Sequence, residues 1–98
     1  MRRDPAVATP VAAGNGTEIN MFDDRFDPSA LTVAVNTLVV WVNKGRNWHS
    51  IASFDGLFDS GKIEPGAQFS FQFTAPGTFK YICKHHGMQG MLGTVTVT

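Results

Sequence analysis

A chain of 98 residues with 43% hydrophobic content has material for one hydrophobic core and not two. Its eight basic and eight acidic side chains cancel, which argues against nucleic acid or an anionic membrane as partner, and no apolar run approaches the roughly 20 residues that span a bilayer. The single cysteine cannot form an internal disulfide, which makes its thiol a candidate for chemistry.

Residues 1–17 are rich in Ala, Pro, Val and Gly and show no periodicity. Arg2 and Arg3 are followed by no continuous apolar region, because Pro5, Thr9 and Pro10 interrupt it, so no signal peptide is read here. This segment is expected to be a flexible tail or linker remnant, and residues 18–98 a single domain. From Glu18 the chain reads as all-β. Glu18 to Phe22 begins a strand and Phe26-Asp27-Pro28 marks a turn. Leu31, Val33 and Val35 alternate with Thr32 and Ala34 until Asn36 breaks the run, and Thr37 to Asn43 continues as a buried strand containing Trp41. After the loop Lys44 to Asn47, Trp48 to Ser53 carries His49 into a short strand. Phe54 to Gly66 is irregular. Phe69, Phe71 and Phe73 alternate with polar residues as a half-buried strand, and Pro76-Gly77 is a turn. The last two strands are Phe79 to Cys83 and Thr94 to Val97, with Val95 and Val97 facing inward. No segment keeps a helical period, and seven or eight short strands at these spacings indicate a β-sandwich or barrel.

The chemistry concentrates between those last two strands. Residues 83–91, Cys-Lys-His-His-Gly-Met-Gln-Gly-Met, hold the only cysteine, two of the three histidines and two of the four methionines. A thiolate, imidazoles and a thioether suit a copper ion that cycles between two oxidation states. Cys83, His86 and Met91 follow the pattern Cys-x2-His-x4-Met, and His49 supplies a second nitrogen. Two histidines and a cysteine in a plane, with a weak axial methionine, describe a blue-copper electron-transfer site. Gly87, Gly90 and Gly93 are expected to give the loop the freedom to curl round one point. Adjacent side chains diverge on an extended or turning segment, so spacing selects His86 and leaves His85 solvated. Met88 is the rival axial ligand. Met21 and Trp41 read as core, and Trp48 either shields the site or sits at a loop tip.

Taken together, Pro65-Gly66, the Phe69-Ser-Phe-Gln-Phe strand, Pro76-Gly-Thr-Phe-Lys-Tyr-Ile-Cys83, His86, Met91 and Gly93-Thr-Val-Thr-Val resemble the cupredoxins, and among them the plastocyanin-type proteins. His49-Ser50-Ile51 fits the upstream ligand strand, so the resemblance covers roughly residues 18–98. It implies an eight-stranded Greek-key sandwich, one type 1 copper held by His49, Cys83, His86 and Met91, and one-electron transfer outside the cytoplasm, for example in a periplasm. The chain departs from the plant plastocyanins at Ile82, where those proteins carry tyrosine. Its nearby acids Asp55, Asp59 and Glu64 are interrupted by Lys62, so a dense acidic docking patch is not expected.

The function expected is that of a monomeric electron carrier whose redox partner docks transiently at an uncharged surface around His86 and Met88. A thiol enzyme with Cys83 as nucleophile would need an orienting Asn or Asp and would leave Met91 unexplained. A multicopper oxidase or nitrite reductase needs further histidine-ligated copper that three histidines do not supply, although the chain could be the electron-donating domain of such an enzyme. A copper-storage module would favour an exposed, methionine-rich set. In a non-metal interaction domain the ligand spacing would be a coincidence.

Overall fold

Leu38–Asn43 is the run of strongest β propensity in the chain, and it becomes the central strand of one sheet. Val39 and Trp41 are completely buried on its inner face, and Val40 is nearly so on the other. The computed structural model describes residues 17–83 and 91–98. Their elements are β1 (Glu18–Met21), β2 (Phe26–Asp27), β3 (Ala30–Val33), β4 (Leu38–Asn43), β5 (Ile51–Ser53), β6 (Gln68–Gln72), β7 (Gly77–Cys83) and β8 (Leu92–Val97), with no helix among the described residues.

The strands form two four-stranded sheets, ordered β2-β1-β4-β6 and β3-β8-β7-β5. Two pairings are parallel: β1 with β4, placing Ile19 opposite Trp41, and β3 with β8, placing Leu31 opposite Val95. The non-sequential neighbours are the crossovers of a Greek-key sandwich, and the all-β reading holds.

The core lies between the sheets and has an aromatic cluster at its centre. Tyr81 from β7 meets Trp41 from β4 edge-on at 5.4 Å between centroids, and Phe26 at 4.8 Å. Phe58 stacks at a tilt on Trp41 at 5.5 Å and on Phe71 at 5.1 Å. Ile19, Met21, Val39 and Val95 complete the packing. Each such side chain contributes on the order of 1.5–3 kcal/mol when fully buried. Along β8 the period of two is unbroken: Gly93, Val95 and Val97 face the core while Thr94 and Thr96 face outward.

Three local expectations are revised. Phe26-Asp27 is a strand paired with Asn20 and Met21, the expected bend is confined to Pro28 and Ser29 after it, and a further turn precedes it, where the Phe22 N–H donates to the Arg25 carbonyl at 2.9 Å. Gly77, assigned to a turn, is the first residue of β7 and pairs with Val97. The segment 54–66 is irregular as expected, and it still contributes Phe58 and Ile63 to the core. Gly93 is not a loop hinge but lies in β8, where a Cβ would meet Cε2 of Tyr81 at 2.6 Å and overlap its Cζ and hydroxyl oxygen. Its small size lets strand and ring approach. The expectation for residues 1–17 lies outside the described residues except at Thr17, whose carbonyl accepts from the Val40 N–H at 3.0 Å.

Candidate metal centre

β7 delivers Cys83 at its last residue, and the chain re-enters the sheet at Met91 just before β8. The two are joined directly, the Cys83 N–H donating to the Met91 carbonyl at 3.1 Å. The loop between them is therefore closed at its base by the same antiparallel ladder that pairs Ile82 with Leu92. Both side chains are fully buried.

His49 arrives from the facing segment. It lies two residues before β5, in an isolated antiparallel bridge with Ile63 rather than within a strand. The His49 N–H donates to the Ile63 carbonyl at 3.0 Å, and the Ile63 N–H to the His49 carbonyl at 2.7 Å. The pairing of Ile51 with Cys83 sets the height of this segment against β7. The result is that His49 Nδ1 lies 3.6 Å from Cys83 Sγ, with the imidazole fully buried.

The opposite nitrogen, Nε2, is 3.1 Å from Oδ1 of Asp23, in the turn between β1 and β2. That carboxylate also accepts backbone hydrogen bonds from Arg46, at 3.1 and 3.0 Å, and from Asn47, at 3.2 Å. The Arg46 N–H, helped by the Asn47 N–H and the His49 ring, outweighs partial desolvation and holds the Asp23 carboxyl at about 2, below its ordinary 3.8. An ionised carboxylate only accepts, so the ring proton belongs on Nε2 and the Nδ1 lone pair faces the sulfur.

Asn43 completes the support. Its Nδ2 donates to the carbonyls of Asn47 and Ile63, both at 2.9 Å, and its Oδ1 accepts from the Gly45 N–H at 2.8 Å. One buried side chain thus ties the end of β4 to both segments that flank His49. Neither Asp23 nor Asn43 stood out in the sequence. Trp48, next to His49 in the chain, is half-buried, with the Lys62 ammonium 5.1 Å from its ring centroid.

The structure brings together His49, Cys83 and the base of the loop at Met91. His86, Met88 and His85 lie outside the described residues, and so do Gly87 and Gly90. Among the described residues no three His, Cys, Asp or Glu side chains converge as a metal-binding group. What is present fits copper. A thiol faces an imidazole lone pair inside an apolar core, and loss of the thiol proton on metal binding leaves two donors directed into one space.

A two-sheet sandwich with a buried Cys–His pair at the end of β7 defines a cupredoxin-type copper protein. The chain belongs to the plastocyanin/azurin family of copper-binding proteins, whose pattern it matches over residues 12–98. It is 34% identical over 100 residues to a halocyanin from Natronomonas pharaonis, covering 97% of this chain and 57% of that one. To a chloroplastic plastocyanin from Physcomitrium patens it is 30% identical over 103 residues, covering 90% and 61%. The chain thus spans less than two-thirds of the length of either relative. Among solved structures it is similar to a purple cupredoxin from Nitrosopumilus maritimus, with a TM-score of 0.76, 28% identity, and coverage of 83% of this chain and 98% of that one. An amicyanin variant at a TM-score of 0.77 and 21% identity, covering 86% and 83%, shares the fold.

Proposed function

We propose that the protein is a one-electron carrier that holds a single type 1 copper ion with His49, Cys83 and His86 in a plane and Met91 as the axial donor. The observation that carries this reading is the 3.6 Å approach of the His49 Nδ1 lone pair to the Cys83 sulfur in a fully buried setting. When bound, the copper supplies a site that cycles between Cu(I) and Cu(II) with little rearrangement. The chain's own contribution is rigidity. The Ile63 bridge fixes the His49 backbone, Asp23 fixes its ring, and the Cys83–Met91 hydrogen bond fixes the two ends of the loop.

Residues 18–98 are the copper domain in this reading, preceded by the segment 1–17. A partner docks transiently at the loop around His86 and Met88. Leu92, directly after buried Met91, is 50% exposed and adds an apolar side chain next to this segment in the sequence. The absence of a dense charged patch in the sequence favours weak electrostatic steering. A monomeric carrier outside the cytoplasm fits the family's electron-transfer members. No helix among the described residues is long and apolar enough to cross a membrane.

Voltammetry of the copper-loaded protein tests the carrier role. One reversible one-electron wave is expected, lost in Cys83→Ser and moved to higher potential in Met91→Leu. A wave that survives Cys83→Ser would overturn the reading. An exchange rate with a redox partner that falls steeply with added salt, and is indifferent to Met88→Glu, would overturn the docking surface.

A further inference from the structure

Resting on the copper-carrier reading above, we propose that Asp23 is the positioning residue of the site: its carboxylate orients the His49 ring and favours the more highly charged oxidation state of the metal. Three observations converge on it. The first is the contact itself, with Oδ1 of Asp23 3.1 Å from His49 Nε2 on the far side of the ring from Cys83. A carboxylate accepting from the outer nitrogen of a ligating histidine fixes the tautomer and makes the inner nitrogen a stronger donor.

Second, the carboxylate is itself held. Both oxygens accept from Arg46 N–H, and Oδ1 also accepts from Asn47 N–H, so a turn between β1 and β2 is bound to the loop that leads into His49. The side chain is about one-third exposed, while the imidazole it touches is fully buried. Third, the loop is shaped to admit it. A Cβ at Gly45 would collide with Oδ1 and approach the carboxyl carbon of Asp23, so only glycine lets the backbone close around this group.

The sequence neighbour provides the contrast. Asp24 carries the same charge, is 75% exposed, and pairs with Arg25 at 2.9 Å. Charge alone would make the two acids alike, whereas contact with His49 makes Asp23 unique between them. A negative charge bonded to a ligand stabilises Cu(II) over Cu(I), so Asp23 holds the potential down. Its hydrogen bond also limits rotation of the ring and adds to affinity for any divalent ion at the site.

The experiment compares Asp23→Asn with Asp24→Asn in the full chain. Asp23→Asn is expected to lower the ratio of Cu(II) to Cu(I) affinity about tenfold, which raises the midpoint potential by about 59 mV, and to weaken Zn(II) binding by about tenfold or more. Asp24→Asn is expected to change either quantity by less than about twofold, as suits a screened surface charge. Equal shifts from the two substitutions would overturn the role of Asp23. The unmodified Zn(II)-loaded protein gives a second readout that depends on no variant. Nitrogen-15 NMR should find the His49 proton on Nε2, exchanging slowly with solvent, and a proton on Nδ1 with the metal on Nε2 would overturn the proposal. A visible thiolate-to-copper band in the unmodified protein separates the two readings. Its absence refutes the copper site, whereas its presence with equal shifts refutes only the part assigned to Asp23.

Discussion

Asn43 offers the sharpest test of how the scaffold supports the site. Truncation to alanine removes three hydrogen bonds of 2.8–2.9 Å from a side chain that is 1% exposed. Each is worth about 1 kcal/mol net, so Asn43→Ala is expected to cost about 3 kcal/mol, from a total that for a domain of this kind is about 5–15 kcal/mol. For a domain of this size that corresponds to a fall in Tm of about 12–24 °C. The assay is urea unfolding of the metal-free protein followed by tryptophan fluorescence, where the midpoint should fall with the slope unchanged. Gln72→Ala is the matching control, since it removes one exposed hydrogen bond, to the Asn36 carbonyl at 3.0 Å, and should cost less than about 0.5 kcal/mol. A loss below about 1 kcal/mol for Asn43→Ala would refute the reasoning. It would mean that the segments around His49 are held by the Ile63 bridge without help from β4.

Gly93→Ala should destabilise the fold by about 1–3 kcal/mol or more, because the added methyl meets a Tyr81 ring already wedged between Phe26 and Trp41; thermal unfolding of the metal-free variant measures it. Tyr81 is the only tyrosine, and burial pushes its phenol up to about 12, so ultraviolet difference absorbance should show no ionisation near pH 10 in the native protein. The unfolded chain ionises first. Stability from this group is therefore whole below pH 10 and declines between pH 10 and 12, by on the order of 2–3 kcal/mol, and Tyr81→Phe should remove that decline.

The ligand candidates were legible because metal chemistry limits both residue type and spacing. Cys83 and Met91 sit at a strand end and a strand start, where the chain can return to one point, and His49 was needed to complete the nitrogen pair. The sandwich was legible from period-two runs such as Val95 and Val97, which do face inward. What escaped detection depends on contacts between residues distant in the chain. Asp23 reads as one of two adjacent surface acids until the fold places it against a histidine 26 positions later. Asn43 reads as the polar end of an apolar strand, although its partners include the Ile63 carbonyl, 20 positions on. Gly45 was the available signal, being a small residue in a short loop, but its meaning depends on the carboxylate it admits. Phe26-Asp27 followed the same logic, since pairing with β1 makes these two residues a strand and confines the bend to Pro28 and Ser29. Gly93 kept its importance but changed its reason, from loop freedom to the room a buried ring needs.

The central claim is a copper ion bound by the Cys83 thiolate. Its most direct test is titration of metal-free protein with Cu(II), followed by visible absorbance, with Cys83→Ser in parallel. One equivalent of copper should produce an intense charge-transfer band that saturates at that point and is absent from Cys83→Ser. Copper binding without the band, or a band that persists when the sulfur is gone, would contradict it.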